Sequence, residues 1–399
     1  MRSVYLDNNA TTRADQAVIA AMLPYFAEQF GNASSTHAFG AEVSGALKEA
    51  RRKLQQLLGA AFDNEIVFTS GGTESDNAAI LSAIETQAGR DEIITTSVEH
   101  PAVLTLAEHL EKARGLKVHR IGVDSRGRLD IDAYRRALGP RIAIASVMWA
   151  NNETGTIFPV EELARMAHAA GAMFHTDAVQ AVGKIALDLK STEIDMLSLS
   201  GHKLHGPKGI GALYIRKGVK FSPLIHGGHQ ERRRRGGTEN VPGIIGLGRA
   251  AELAMADMAE EGTRIRALRD RLERGILQRI DHCLVNGEDQ NRLPNTSNIA
   301  FDYLEGEAIL IHMDRAGIAA STGSACTAGS TEPSHVLRAM NVRRSALRGA
   351  IRFSLSRENT GADVDRVLEV LPGIIERLRA LSPAWLERDV AREQPVLCD

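Results

Sequence analysis

Cysteine is scarce in this chain: Cys283, Cys326 and Cys398 are the only three among 399 residues. An odd number, with no Cys-x-x-Cys or Cys/His zinc spacing, excludes a disulfide framework and points to free thiols in a reducing compartment. Aromatic side chains make up 4%, too few for base-stacking platforms, and 48 basic against 50 acidic residues leave a net charge of -2. A chain so nearly neutral has no global field for gripping nucleic acid or an anionic membrane. No apolar run approaches the roughly 18 residues of a membrane span. The opening Met1-Arg2-Ser3-Val4-Tyr5-Leu6-Asp7 lacks the apolar centre of a secretory signal. A cytoplasmic protein is expected, with neither nucleic acid nor membrane as partner. What is present is an ordinary globular balance, 43% hydrophobic and 25% charged, with 36 glycines that fall in clusters. The length is enough for two sizeable cores.

Apolar positions at Val43, Ala46, Leu47, Ala50, Leu54, Leu57 and Leu58 make the stripe of an amphipathic helix. A short β-rich run, Glu65 to Thr69, leads through Ser70-Gly71-Gly72-Thr73 into a helix near Glu74. Further apolar runs follow at 93–96, 118–121, 142–149, 173–176, 196–199 and 210–215, several separated by helical stretches such as 105–114 and 160–170. Strands alternating with helices predict a mostly parallel sheet covered on both faces. After about residue 250 the pattern changes. One long helix over 244–278 precedes short strands at 283–285, 298–301, 318–320 and 351–356, helices at 306–316 and near Pro333, and a last helix over 362–381. That reads as a smaller α+β unit, and the charged tail after Ser382 is expected to fray.

The segment Ser200-Gly201-His202-Lys203-Leu204-His205-Gly206-Pro207 follows an apolar strand. An isolated lysine is usually a surface charge. One at the end of a buried strand has the lowered pKa that a Schiff-base amine needs. Asp177, 26 positions earlier, also follows an apolar strand. A lysine for an aldehyde and a carboxylate for a pyridinium nitrogen are the two requirements of a pyridoxal phosphate (PLP) site. The Gly71-Gly72-Thr73 turn, weak evidence alone, offers backbone N–H groups at a helix start for the phosphate. Cys326 lies within Ser321 to Thr331, an 11-residue run of small and polar residues. Such a setting fits a mobile thiol nucleophile, whereas Cys283 reads as a small core residue and Cys398 as incidental.

These residues sit in segments that resemble the PLP-dependent cysteine desulfurases of the class V aminotransferase family, most closely their NifS type. The segments are Tyr5 to Thr12, Ser70 to Asn77, Glu99-His100, Asn151 to Gly155, Thr176 to Gln180, the Lys203 segment, Arg235 to Asn240, Ser324-Ala325-Cys326 and Ile351 to Ser354. The resemblance implies an α/β architecture, the aspartate-aminotransferase-like fold-type I of PLP-dependent transferases. A large domain, 13–257, would hold a mostly parallel seven-stranded sheet. A small α+β domain, 1–12 with 258–399, would carry the Cys326 loop. It also implies roles. Lys203 would hold PLP, Asp177 the ring nitrogen and Gln180 the ring hydroxyl. His100 would stack on the ring and act as acid and base. Gly72, Thr73, Ser200, Gly201 and His202 would line the phosphate end, and Thr238 would reach the phosphate of a neighbouring subunit in a homodimer. Asn152, beside the cofactor, and Arg352 would fix the carboxylate of L-cysteine. Cys326 would take the sulfur as a persulfide for an iron–sulfur scaffold protein, in nitrogenase maturation, and would meet metal only transiently through that persulfide.

Other readings exist. A selenocysteine lyase or another enzyme of the same family would share the fold. His202-x-x-His205, His226-Gly-Gly-His229 and His175-x-Asp177 have a superficial metal-like spacing, but not that of a standard zinc site. Arg232 to Arg235 reads more simply as a solvated or subunit-bridging loop than as a nucleic-acid patch.

Overall fold

The computed structural model describes residues 3–322 and 332–388. Its main sheet has seven strands in the order Ile66–Thr69, Gly211–Ile215, Met196–Ser200, Met173–Asp177, Ile142–Ser146, Glu92–Thr96, Lys117–Ile121. Gly211–Ile215 runs antiparallel to both its neighbours, and the other pairings are parallel. Most central strands are buried along their whole length, as both-face coverage by helices requires. On one face the helix Ala38–Leu58 inserts Val43, Leu47, Ala50, Leu54, Leu57 and Leu58 into the largest core, the stripe expected from the sequence.

A second core joins Val4 and Leu6 to residues between Ile265 and Ile375. Around it the antiparallel strands Cys283–Asn286, Thr296–Phe301 and Ala350–Ser354 form one sheet, and Val4–Tyr5 pairs in parallel with Ile318–Ala319. The N-terminal strip thus threads between two C-terminal strands: Leu6 N donates to Ala319 O, and Ser354 N donates to Leu6 O, both at 2.8 Å.

Three local expectations change. The single long helix is two, Val241–Glu260 and Arg266–Arg279, joined by a π-helical turn at Glu261–Ile265; nothing in apolar spacing marks one extra residue per turn. The chain after Ser382 begins with a short helix, Pro383–Leu386, whose Trp385 ring lies under the guanidinium groups of Arg379 (4.2 Å) and Arg388 (3.8 Å). Residues 389–399 lie outside the described chain.

The arginine run is also less solvated than expected. Arg235 pairs with Glu74 at 3.0 Å, and Arg234 donates to the Asn64 carbonyl. Just before them Glu231, Arg232 and Arg233 have φ of 46°, 56° and 66°, a left-handed stretch that costs energy in each residue. Buried Glu231 holds it in place: Arg51 donates to both its carboxylate oxygens at 2.7 Å, and Phe68 N adds a third bond at 3.1 Å. Removing one partner of a buried pair leaves the other charge unpaired. Glu231→Ala is therefore expected to cost about 3–5 kcal/mol, measured as a lowered midpoint in thermal or denaturant unfolding.

Candidate active site

The ends of five strands converge on one cavity of about 320 Å³. The turn after Ile66–Thr69 brings Gly72 and Thr73, and the segment after Glu92–Thr96 brings His100. Asn152 follows Ile142–Ser146, Asp177 ends Met173–Asp177 with Gln180 just beyond, and Ser200 ends Met196–Ser200 with His202 and Lys203 in the next turn. Ligands of open parallel sheets bind at this carboxyl edge. Asp177 and Lys203 belong together because their strands are neighbours in register, with Asp177 opposite Ser198.

The N-terminal strip closes the cavity. Asn9 and Ala10 line it, and their carbonyls accept from Lys203 Nζ at 2.6 and 2.7 Å. Asn9 O also accepts from Gln180 Nε2 at 3.1 Å, and Asn9 Nδ2 donates to the Asn152 carbonyl at 3.1 Å. Arg352, 1% exposed, comes from Ala350–Ser354; it pairs with Asp7 at 2.7 Å and donates to the Asn152 carbonyl at 3.1 Å.

The charges are ordered by burial. Asp76, Glu99 and Asp177 are all buried carboxyls whose pKa burial raises. Asp177 is opposed by His100, by a 2.9 Å bond from Val179 N and by Lys203. Asp76 lacks these partners, and the charge of Asp177 pushes it up further. Of this pair Asp76 is the carboxyl pushed well up, so Asp177 gives up its proton the more readily. Glu99 is pushed up to about 8, chiefly by burial. His202 is pushed down to about 4 by burial and by Lys203 and Lys208, so it is neutral. His100 caps the helix Pro101–Arg114, accepting from Ala102 N at Nδ1 (3.1 Å). With Nδ1 accepting there, Nε2 is the ring nitrogen left to carry a proton.

These features fit PLP. An amine and an ionised carboxylate share the cavity. At its other end the helix Gly72–Thr86 begins with no side-chain cap, and a Cβ on Gly72 would lie 2.8 Å from Val179. Only glycine leaves that helix start open to a phosphate.

Two of the anticipated residues do not line the cavity. Gly201 serves packing, since a Cβ there would sit 3.0 Å from Ile210 and the Pro207 carbonyl. Thr238 is exposed and away from its own chain's cavity. Cys326 lies outside the described residues. Asn9, Asp7, Asp76 and Glu99 had no role assigned from sequence. The segments containing them stood out, but the contacts of Asn9 and Asp7 span hundreds of positions. Of the histidines with metal-like spacing, His175 is bonded to Ser146 and Ser198 at 2.9 Å, His202 to Thr11 at 3.1 Å and His205 to the Arg13 carbonyl at 2.9 Å. Among the described residues no three of His, Cys, Asp and Glu are grouped to hold a metal ion.

Glu99 makes stability depend on pH. Its folded pKa, about 8, lies above the ordinary 4.5. The folded protein therefore holds this proton more tightly than the unfolded chain. That contribution is complete below pH 4.5 and is lost as the pH rises to about 8. Glu99→Gln should flatten the fall in stability across this window by up to ~1.4 kcal/mol per pH unit, read from unfolding midpoints at a series of pH values.

The aminotransferase class-V family model matches residues 4–367. A cysteine desulfurase of Gluconacetobacter diazotrophicus is 73% identical over 385 residues, covering 96% of each chain. The cysteine desulfurase NifS of Azotobacter vinelandii is 59% identical, again over 96% of each. A solved NifS-like protein superposes with a TM-score of 0.88 at 40% identity, covering 94% of this chain and 100% of the other. The chain belongs to the class V aminotransferase family, in its cysteine desulfurase branch.

Proposed function

We propose that this chain takes sulfur from L-cysteine with the help of pyridoxal phosphate, releases L-alanine and leaves a persulfide on Cys326. The observation that carries this reading is the meeting of Lys203 and Asp177, from adjacent parallel strands, in one cavity with an uncapped helix start. Kinship with cysteine desulfurases supports it. When bound, pyridoxal phosphate supplies an aldehyde for amines and an electron-withdrawing ring beside the substrate's Cα.

The chain's own residues do the rest. Gly72 and Thr73, with Ser200 and His202, would hold the phosphate, and Asp177 would keep the ring nitrogen protonated. Arg352 takes the substrate carboxylate with its planar fork, with Asn152 beside it. Lys203 Nζ would remove the Cα proton and return it before alanine leaves. His100 carries on Nε2 a proton it can give to a substrate heteroatom. The Cys326 thiolate attacks the substrate sulfur. The C–S bond breaks as the S–S bond forms, and the electron pair left on Cβ is protonated to the methyl group of alanine.

The wider setting is part of the same proposal. The enzyme works as a cytoplasmic homodimer in which Thr238 reaches the neighbouring subunit's phosphate. Its domains are 13–257 and 1–12 with 258–399, in keeping with the core that joins Val4 and Leu6 to the C-terminal third. The persulfide goes to an iron–sulfur scaffold protein that serves nitrogenase.

Purified yellow enzyme mixed with L-cysteine should give alanine and Cys326-bound persulfide in equal amounts in the first turnover, by amino-acid analysis and mass spectrometry. Cys326→Ala should form no protein persulfide. Alanine without persulfide on Cys326 would contradict the nucleophile, and no alanine from cofactor-loaded enzyme would contradict the desulfurase.

A further inference from the structure

One buried cation has no part in the reaction just described. Lys184 is 8% exposed and stands four residues after Gln180. It does not line the main cavity. Its Nζ donates to Gln180 Oε1 at 2.9 Å and lies 3.5 Å from Asn9 Oδ1. Both amides are fixed by their other partners. Asn9 Nδ2 donates to the Asn152 carbonyl at 3.1 Å, which turns Asn9 Oδ1 towards Lys184. Gln180 Nε2 donates to the Asn9 carbonyl at 3.1 Å, which turns Gln180 Oε1 the same way. Carbonyls only accept and an ammonium only donates, so these contacts specify one flip of each amide. An amide nitrogen has two hydrogens. One is used on the Asn9 carbonyl, and the second is left for the cavity that Gln180 lines.

Burial of a lysine needs a counter-charge. Here it is Glu261, 9% exposed, from the π-helical turn at Glu261–Ile265. Lys184, Lys203 and Glu261 border a second cavity of about 30 Å³, a volume that suits one water. Glu261 Oε2 has no hydrogen-bond partner among the described residues. Burial brings the lysine down to about 7 and the carboxyl up to about 7, each opposed by the other's charge. The other charges facing Lys184 are Lys203 and Arg352; Glu261 is faced by Arg357, Arg264 and Asp257, and Lys203 by Asp177. A π-helical turn is an uncommon feature that recurs at functional sites, and this one carries the carboxylate that shares the small cavity with Lys184.

We propose that Lys184 is a positioning residue. Through Gln180 Oε1 it holds the Gln180 amide with an N–H turned into the cavity, where the ring oxygen of pyridoxal phosphate accepts it, and Glu261 is its counter-charge. This rests on the reading that the cavity binds that cofactor on Lys203. An N–H donated to the ring oxygen stabilises its negative charge most when the nearby imine has lost its proton. The contact therefore lowers the pH at which the bound cofactor changes colour.

The test is a pH titration of the visible absorbance of the holoenzyme, which reports on the cofactor without turnover. Lys184→Met should raise the midpoint by about one pH unit, a tenfold change in proton affinity. Gln180→Ala should raise it similarly, and Lys184→Met added to Gln180→Ala should move it little further, because the lysine acts through the amide. Lys184→Arg, which keeps the donor, should restore most of the wild-type value. If Lys184→Met does not fold, Lys184→Gln, which offers an acceptor as readily as a donor, should show the same rise at smaller size. A midpoint unmoved in a folded, cofactor-loaded Lys184 variant would overturn the proposal. So would an equal shift with and without Gln180. Wild-type protein with no visible band would instead overturn the reading of the cavity as a pyridoxal phosphate site.

Discussion

A single peptide carbonyl, that of Asn9, accepts hydrogen bonds from Lys203 Nζ and from Gln180 Nε2. The same residue's side chain reaches the Asn152 carbonyl, Thr296 and Asn295, and its N–H donates to Ser354 Oγ at 2.9 Å. All of this is buried, Asn9 being 2% exposed, so each unmade bond would carry a desolvation cost. The N-terminal strip thus joins the carboxyl edge of the large sheet to the small C-terminal sheet. The pairing of Asp7 with Arg352 sets the guanidinium at the cavity wall from the same strip. The geometry of the site therefore depends on residues that lie at the two ends of the chain.

Around this frame the charges are arranged by unequal desolvation. Of the coupled carboxyls Asp76 and Asp177, the one that gives up its proton more readily is the one that faces His100 and Lys203 and accepts from Val179 N. Burial and the charge of Asp177 oppose the ionisation of Asp76 and Glu99. A buried cluster can then offer one localised negative charge to a ring nitrogen without accumulating several.

Much of this was legible in the sequence, and the reason differs by element. The parallel sheet followed from short apolar runs alternating with helices, and its strand ends carried Asp177 and Lys203 in the order the chemistry needs. The lone antiparallel strand, Gly211–Ile215, and the π-helical turn at Glu261 were not legible, because strand direction and an extra residue per turn leave the apolar pattern unchanged. Nothing local marks Lys184, since its partner Glu261 lies far along the chain. The arginine run read as a solvated or subunit-bridging loop; Arg232 and Arg233 are exposed, but nothing local reveals that Arg235 meets Glu74 or that a buried Arg51–Glu231 pair underlies the run.

Two lysines, half-buried Lys203 and buried Lys184, approach this site, and the account gives them different work: Lys203 bonds to the cofactor, while Lys184, whose pKa burial has lowered as a nucleophile's would be, only positions Gln180. Borohydride reduction of the holoenzyme followed by peptide mass spectrometry separates them. The account predicts a pyridoxyl group on the peptide containing Lys203 and none on that containing Lys184. Label on Lys184, or no labelled lysine in a cofactor-loaded protein, would contradict it.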